Sequence, residues 1–152
     1  MYHAVIRMVG DSATAQDIVQ EGFVKVFKHL HRFRGDSGIY SWMKRIMINE
    51  AISHIRKNKT KPKIVEADYH LEGLTDEADH DDSAGWDVSK VHDAIKLLPT
   101  RCRTVFSLFL FEGYSHKEIA VELTISESTS KTQYMRAKKL LRNHLRAICY
   151  EG

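Results

Sequence analysis

The sequence is poor in the residues that would force most small-protein chemistries. It has two cysteines, Cys102 and Cys149, 47 positions apart and in no CxxC pair. A disulfide framework and a thiolate zinc site are therefore both excluded, and both thiols are expected to be reduced. Proline is almost absent: only Pro62 and Pro99 occur, so long helices can run without interruption. No apolar run approaches the length of a membrane span, and the N-terminus has no charged start followed by an apolar signal core. The chain is expected to be cytoplasmic, with no membrane insertion. Phosphate-binding glycine loops and nucleophile motifs are missing too. The nine histidines are scattered, and the carboxylates Asp79, Asp81 and Asp82 have no companion ligand motif. No metal site, no cofactor and no enzymatic activity are expected.

What the chain has is charge arranged in blocks. Residues 1–63 carry twelve Lys and Arg against five acids, residues 64–90 one Lys against nine acids, and residues 91–152 ten against six. Two basic blocks joined by an acidic one suggest two nucleic-acid-facing modules and a connector that repels nucleic acid or occupies a basic channel in its place.

Hydrophobic spacing makes both basic blocks helical. After a short apolar piece closed by Gly10, Asp11 and Ser12 supply caps for a helix. In it Ala15, Ile18, Val19, Phe23, Val26, Phe27 and Leu30 recur at threes and fours as a core face. Asp17, Gln20, Glu21, Val24 and Lys28 form a second stripe. It reads either as a solvated face or as a docking surface centred on Val24. A loop with Gly35, Asp36 and Gly38 precedes a long helix from Ser41. There Met43, Met47, Ile48, Ala51, Ile52 and Ile55 face a core, while Trp42, Ile46, Asn49, Ser53 and Arg56 share the opposite stripe beside Arg45 and Lys57. An aromatic plane, an amide, a hydroxyl and guanidinium groups suit phosphates and unstacked bases. A solvated basic face with Trp42 in the core fits the same pattern.

Residues 66–87 read as a linker with little periodic signal, Tyr69, Leu71, Leu74 and Trp86 being the possible anchors. Helical spacing returns over residues 88–98, and Pro99 suits the first position of a helix carrying Val105, Phe106, Leu108, Phe109 and Leu110 and ending at Gly113. Ser115 and Glu118 form a capping box. A turn at residues 124–126 leads into a helix with Tyr134, Ala137, Leu141, Leu145 and Ile148 as its apolar seam. Two helices across a tight turn read as a helix-turn-helix, whose second member offers Lys131, Gln133 and Arg136 for base edges and small hydroxyls for phosphate; a simple basic surface helix fits the same residues.

The motifs AQDIVQEGFVKVFK, FRGDSGIYSWMKRIMINEAISHIRK and EGYSHKEIAVELTISESTSKTQYMRAKKLLR, in this order around an acidic linker, resemble the extracytoplasmic-function (ECF) sigma factors of bacterial RNA polymerase. The resemblance implies an all-α chain of two small helical domains: a region 2-like domain over 1–60, an acidic flexible linker over 61–87 and a region 4-like helix-turn-helix domain over 88–152. It implies a transcription initiation factor whose partners are core RNA polymerase, promoter DNA and an anti-sigma factor. Asp17, Gln20, Glu21 and Val24 would dock on polymerase. Phe33, Arg34, Asp36, Tyr40, Trp42, Arg45, Asn49, Ser53 and Arg56 would bind and melt the minus-ten element, and Ser128, Thr129, Lys131, Thr132, Gln133 and Arg136 would read the minus-thirty-five element. Three features depart from the family: the chain starts late in the region 2 bundle, Ser53 replaces a common aspartate, and Ser130 replaces an aliphatic residue. A free-standing helix-turn-helix regulator is the alternative function.

Overall fold

The computed structural model describes residues 1–59 and 88–150, and the expected linker lies outside them. Seven α-helices occur among the described residues: α1 Tyr2–Val9, α2 Ser12–His29, α3 Ile39–Lys59, α4 Val88–Lys96, α5 Thr100–Leu110, α6 His116–Leu123 and α7 Glu127–Tyr150, with a single 3-10 turn at Leu30–Arg32 after α2. The all-α class is as the sequence implies, and no strand is present among the described residues.

Local signals set most of the helix ends. Gly10 closes α1 in the left-handed region at φ 78° and donates its N–H to Ile6 O at 2.8 Å, a conformation that carries little penalty only without a side chain. Asp11 caps α2 by accepting from the Thr14 N–H at 2.8 Å. Gly113, at φ 73°, lets the Tyr114 N–H turn back to Leu108 O at 3.0 Å. The capping box forms in both directions: Glu118 N–H donates to Ser115 Oγ at 3.2 Å, and Ser115 N–H donates to Glu118 Oε2 at 2.8 Å. Pro99 stands one place earlier than expected, as the residue before α5 at φ −52° and ψ 141°.

The N-terminal half is an α1–α2–α3 bundle. Gly22 allows α2 and α3 to approach closely, since a Cβ there would collide with the Met47 side chain. Met47, Ile48, Ala51, Ile52 and Ile55 of α3 are buried, as their spacing requires. The α2 face departs from expectation: Ala15, Ile18 and Val26 are buried, but Phe23, Phe27 and Leu30 are exposed, Phe27 by 74%. The apolar arc of α2 is wider than the surface that α1 and α3 cover, so its outer edge stays in solvent.

In the C-terminal half α4, α5 and α7 pack around Ile95, Leu98, Cys102, Phe106 and Ala137. The two halves do not stand apart. Val105 and Leu108 of α5 and Ile119 and Leu123 of α6 belong to the same buried cluster as Val5, Met8, Met47 and Ile55. Helix α5 lies between α1 and α7 and is buried over Cys102, Arg103, Thr104, Val105, Phe106, Ser107 and Leu108. Its polar members are satisfied, as burial requires. Thr104 donates its hydroxyl to Thr100 O at 2.7 Å, and Ser107 donates to Arg7 O at 3.4 Å.

Arg103 is the least expected of them. Its guanidinium donates to Met8 O at 3.3 Å and Val9 O at 2.8 Å, and to Lys96 O at 2.8 Å and Leu98 O at 3.2 Å. These are carbonyls at and just beyond the C-terminal ends of α1 and α4, where backbone acceptors lack intrahelical donors and the helix dipole favours a cation. Gly10 makes room for it, for a Cβ at that position would lie 2.6 Å from Arg103 Cζ.

Candidate nucleic-acid interface and docking face

On α3 the expected polar stripe divides. Trp42 and Ile46 are partly buried against the core cluster, and the Trp42 ring packs on Phe33 at 5.4 Å between centroids. Asn49, Ser53 and Arg56 face solvent one turn apart. Their side chains make no hydrogen bond or ion pair with other described residues. Arg34, Asp36 and Tyr40 are exposed in and just after the loop that leads into α3, Tyr40 by 58%. Helix α3 begins at Ile39 rather than Ser41, so Tyr40 sits in its first turn. The structure thus brings Tyr40, Asn49, Ser53 and Arg56 to the surface and leaves Phe33 and Trp42 as a half-buried aromatic base beneath the loop.

Basic residues of α1 and of the first turns of α3 meet the C-terminal half. Lys44 Nζ lies 2.6 Å from Glu112 Oε2, and Arg7 Nη2 lies 3.1 Å from Glu112 Oε1, with the Glu112 side chain only 2% exposed. Arg7 also covers the Phe111 ring at 4.4 Å. Arg45 is exposed but lies close enough to Tyr114 and Glu118 to act on both. Burial pushes the Tyr114 phenol above its ordinary value while the Arg45 charge works against that rise.

On α7 the amino-terminal turn is tied to itself. Ser126 Oγ accepts from the Thr129 N–H at 3.0 Å and bonds the hydroxyls of Ser128 at 2.9 Å and Thr129 at 2.7 Å. Lys131 pairs with Glu127 at 2.8 Å, and Thr132 donates to Ser128 O at 3.0 Å. Both members of the pair are exposed, so solvent screens it and it adds little to stability. Lys131 nonetheless holds the Glu127 carboxyl below its usual range.

Gln133 is not on the outward face. It is half-buried, and its Oε1 accepts from the thiol of buried Cys102 at 3.0 Å. Ser130 is fully buried and bonds His116 Nδ1 at 2.9 Å, and the His116 ring stacks on Phe109 at 4.4 Å. This explains the departure at Ser130: a polar residue stands at a core position because a histidine from α6 meets it. Burial, helped by the Lys131 charge, lowers the His116 pKa. Opposite Ser130, helical spacing lines up Ser128, Thr132, Met135 and Lys139 on the outward stripe, flanked by Lys131 and by Arg136, whose Nε is buried without a hydrogen bond. Lys139 is one of the basic residues expected along this helix, whereas Met135 was not among the expected contacts. The period of 3.6 taken from Thr132 finds it.

The second stripe of α2 forms one exposed surface. Asp17, Gln20, Glu21 and Val24 are all exposed, Val24 by 52%. Phe27 and Phe23 extend the apolar part beside it. No helix among the described residues is long and apolar enough to cross a membrane, and no group of three His, Cys, Asp or Glu among them has metal-holding geometry.

Comparison with known proteins agrees with this layout. Residues 1–61 match the Sigma-70 region 2 family and residues 89–141 match the Sigma-70, region 4 family. The chain is 30% identical to the RNA polymerase sigma-H factor of Pseudomonas aeruginosa over 97% of its own length and 81% of that protein's. It is 29% identical to the ECF RNA polymerase sigma factor SigX of Bacillus subtilis, covering 97% of this chain and 79% of the relative. Among solved structures, the sigma factor RpoE in complex with the anti-sigma factor NepR from Bartonella quintana shares the fold. It has a TM-score of 0.59 and 20% identity, covering 95% of this chain and 89% of that one. With both regions matched in order and relatives alike over almost its whole length, the chain belongs to the sigma-70 family of bacterial RNA polymerase, as a sigma factor of the ECF type.

Proposed function

We propose that this sigma factor divides promoter binding between two helices and polymerase docking to a third, and that it acts in the cytoplasm by binding alone, without chemistry of its own. Helix α3 and the loop before it hold the unpaired minus-ten strand. Asn49 and Arg56 supply hydrogen bonds to bases and phosphates, Ser53 a further hydroxyl, and Tyr40 an exposed ring for stacking. Arg34, Asp36 and Arg45 border that path, with Phe33 and Trp42 supporting the loop from below. Helix α7 enters the major groove at the minus-thirty-five element. Ser128, Thr129, Lys131, Thr132 and Arg136 contact the duplex, and Gln133 holds the helix on α5 through Cys102. Asp17, Gln20, Glu21 and Val24 dock on core polymerase.

The observation that carries this reading is that the Asn49, Ser53 and Arg56 side chains are aligned, exposed and unused by the fold, on a helix whose opposite face is fully buried. Polar groups so placed are available to an outside ligand without breaking an internal bond. The related structure's complex with an anti-sigma factor supports a further proposal, that a protein inhibitor of this kind binds this chain too. Purified protein added to core polymerase should give transcripts that start at defined promoters. Equal transcripts from core polymerase alone would overturn the reading. A gel shift of duplex alone, tight and specific without polymerase, would favour the free-standing regulator instead.

A further inference from the structure

A cavity of about 160 Å³ lies where the end of α3 meets α5, α6 and α7. The roles proposed above do not involve its interior. Its walls are apolar: Ile55, Val105 and Leu123 are buried, and Ile125 of the turn is partly so. An apolar cavity of roughly 150 Å³ holds one benzene ring, so the space takes a single aromatic ring or a branched chain of similar size. Arg101 and Thr129 are the exposed members of the lining and mark its mouth.

The polar side of the cavity offers donors. Among the described residues the Arg101 guanidinium has no hydrogen-bond or ion-pair partner. It stands in the first turn of α5, where the helix dipole disfavours a cation, and that turn holds no acid to offset it. Gln133 accepts the Cys102 thiol on its Oε1 at 3.0 Å, which leaves its amide nitrogen as a donor. No carboxylate is found among the described residues that line the cavity. A guanidinium and an amide donor beside an apolar space suit a carboxylate head on a small apolar body.

We propose that this cavity is a binding site for a small monocarboxylate with an aromatic or branched body. Its carboxylate is held by Arg101 and Gln133, and its body lies among Ile55, Val105, Leu123 and Ile125. Two parallel N–H groups of a guanidinium meet both carboxylate oxygens, a match that a neutral head group lacks. Thr129 and Gln133 carry the site onto α7, so the bound molecule rests against the helix assigned above to the upstream element. The binding itself does not depend on that assignment.

Benzoate is the probe, added to the full chain with its Ile, Leu and Val methyl groups labelled for NMR. Saturable shifts below about 10 mM are expected at the methyls of Ile55, Val105, Leu123 and Ile125, since a ligand of about nine non-hydrogen atoms binds in the millimolar range or tighter. Benzyl alcohol keeps the ring without the charge, and acetate keeps the charge without the ring. Each should bind about tenfold or more weakly. Arg101→Gln should bring benzoate down to the level of benzyl alcohol and keep its helix content by circular dichroism, because Arg101 is exposed and bonded to no described residue. No saturable shift at these methyls overturns the site. So does benzoate binding no more tightly than benzyl alcohol or acetate, or binding Arg101→Gln with undiminished affinity. On the unaltered chain the three probes decide the matter without the variant.

Discussion

The two helices proposed to contact DNA are prepared in opposite ways. On α3 the side chains of Asn49, Ser53 and Arg56 project without internal partners, whereas the start of α7 is bonded at almost every polar position: Ser126 to Ser128 and Thr129, Ser130 to His116, and Gln133 to Cys102. The difference suits the ligands proposed for each. An unpaired strand has soft torsions, and adaptable side chains can follow it. A duplex presents base edges at fixed positions, and a helix already held at one depth and rotation loses less entropy on docking. The same contrast fits Ser130, which replaces an aliphatic residue and yet faces inward. It serves the rigidity of α7 and not its chemistry toward DNA.

Several measurements would break or sharpen that contrast, taken here from the largest effect down. Glu21→Lys alters neither DNA helix and should weaken core polymerase binding by about tenfold or more in a pull-down at moderate salt. Undiminished binding would move the docking face off α2. Arg136→Ala should cost about 1–3 kcal/mol at the upstream element and reduce the salt dependence of duplex binding. A footprint lost only downstream would contradict this. Asn49→Ala should slow open-complex formation about threefold to tenfold while leaving upstream binding intact, and if it fails at the same step as Arg136→Ala the two helices do not divide the work. Ser130→Ala leaves His116 Nδ1 without its partner and should destabilise the protein by about 1–2 kcal/mol, or roughly 2–8 °C in Tm.

The smallest effect is on pH. The folded state holds the His116 pKa below 6.5, chiefly by burial, so the unfolded chain takes up a proton first as pH falls. The stability tied to His116 is therefore full above about pH 6.5 and declines as the medium becomes more acid. His116→Phe should flatten that decline in thermal melts between pH 7 and 5. An equal slope in the variant would place its origin elsewhere.

Much of the helix plan was legible because its signals are local. The Asp11 cap, the Ser115–Glu118 box, and Gly10 and Gly113 act within a few residues of themselves, and the buried face of α3 follows from a period of 3.6. Asn49, Ser53 and Arg56 could be found the same way, since the face opposite a fully buried stripe is a matter of spacing. Phe23 and Phe27 could not. A helical period shows that an arc is apolar and is silent on how much of it a neighbour covers.

The sequence by itself determined seven helices' worth of local structure, two basic blocks around an acidic one, and the motifs of a sigma factor, because capping, periodicity and charge are properties of short stretches. Only the tertiary structure decided that Arg103 would be buried on carbonyls of α1, that Glu112 would bind cations from two other helices, that Ser130 would meet His116, and that Gln133 would turn inward to Cys102. Each of these joins groups from different parts of the chain, 14 residues apart for His116 and Ser130 and 105 for Arg7 and Glu112. A charge or hydroxyl that looks solvated in the sequence finds its partner only when the helices have packed, since burial makes an unpaired polar group costly and so selects the arrangement that pairs it.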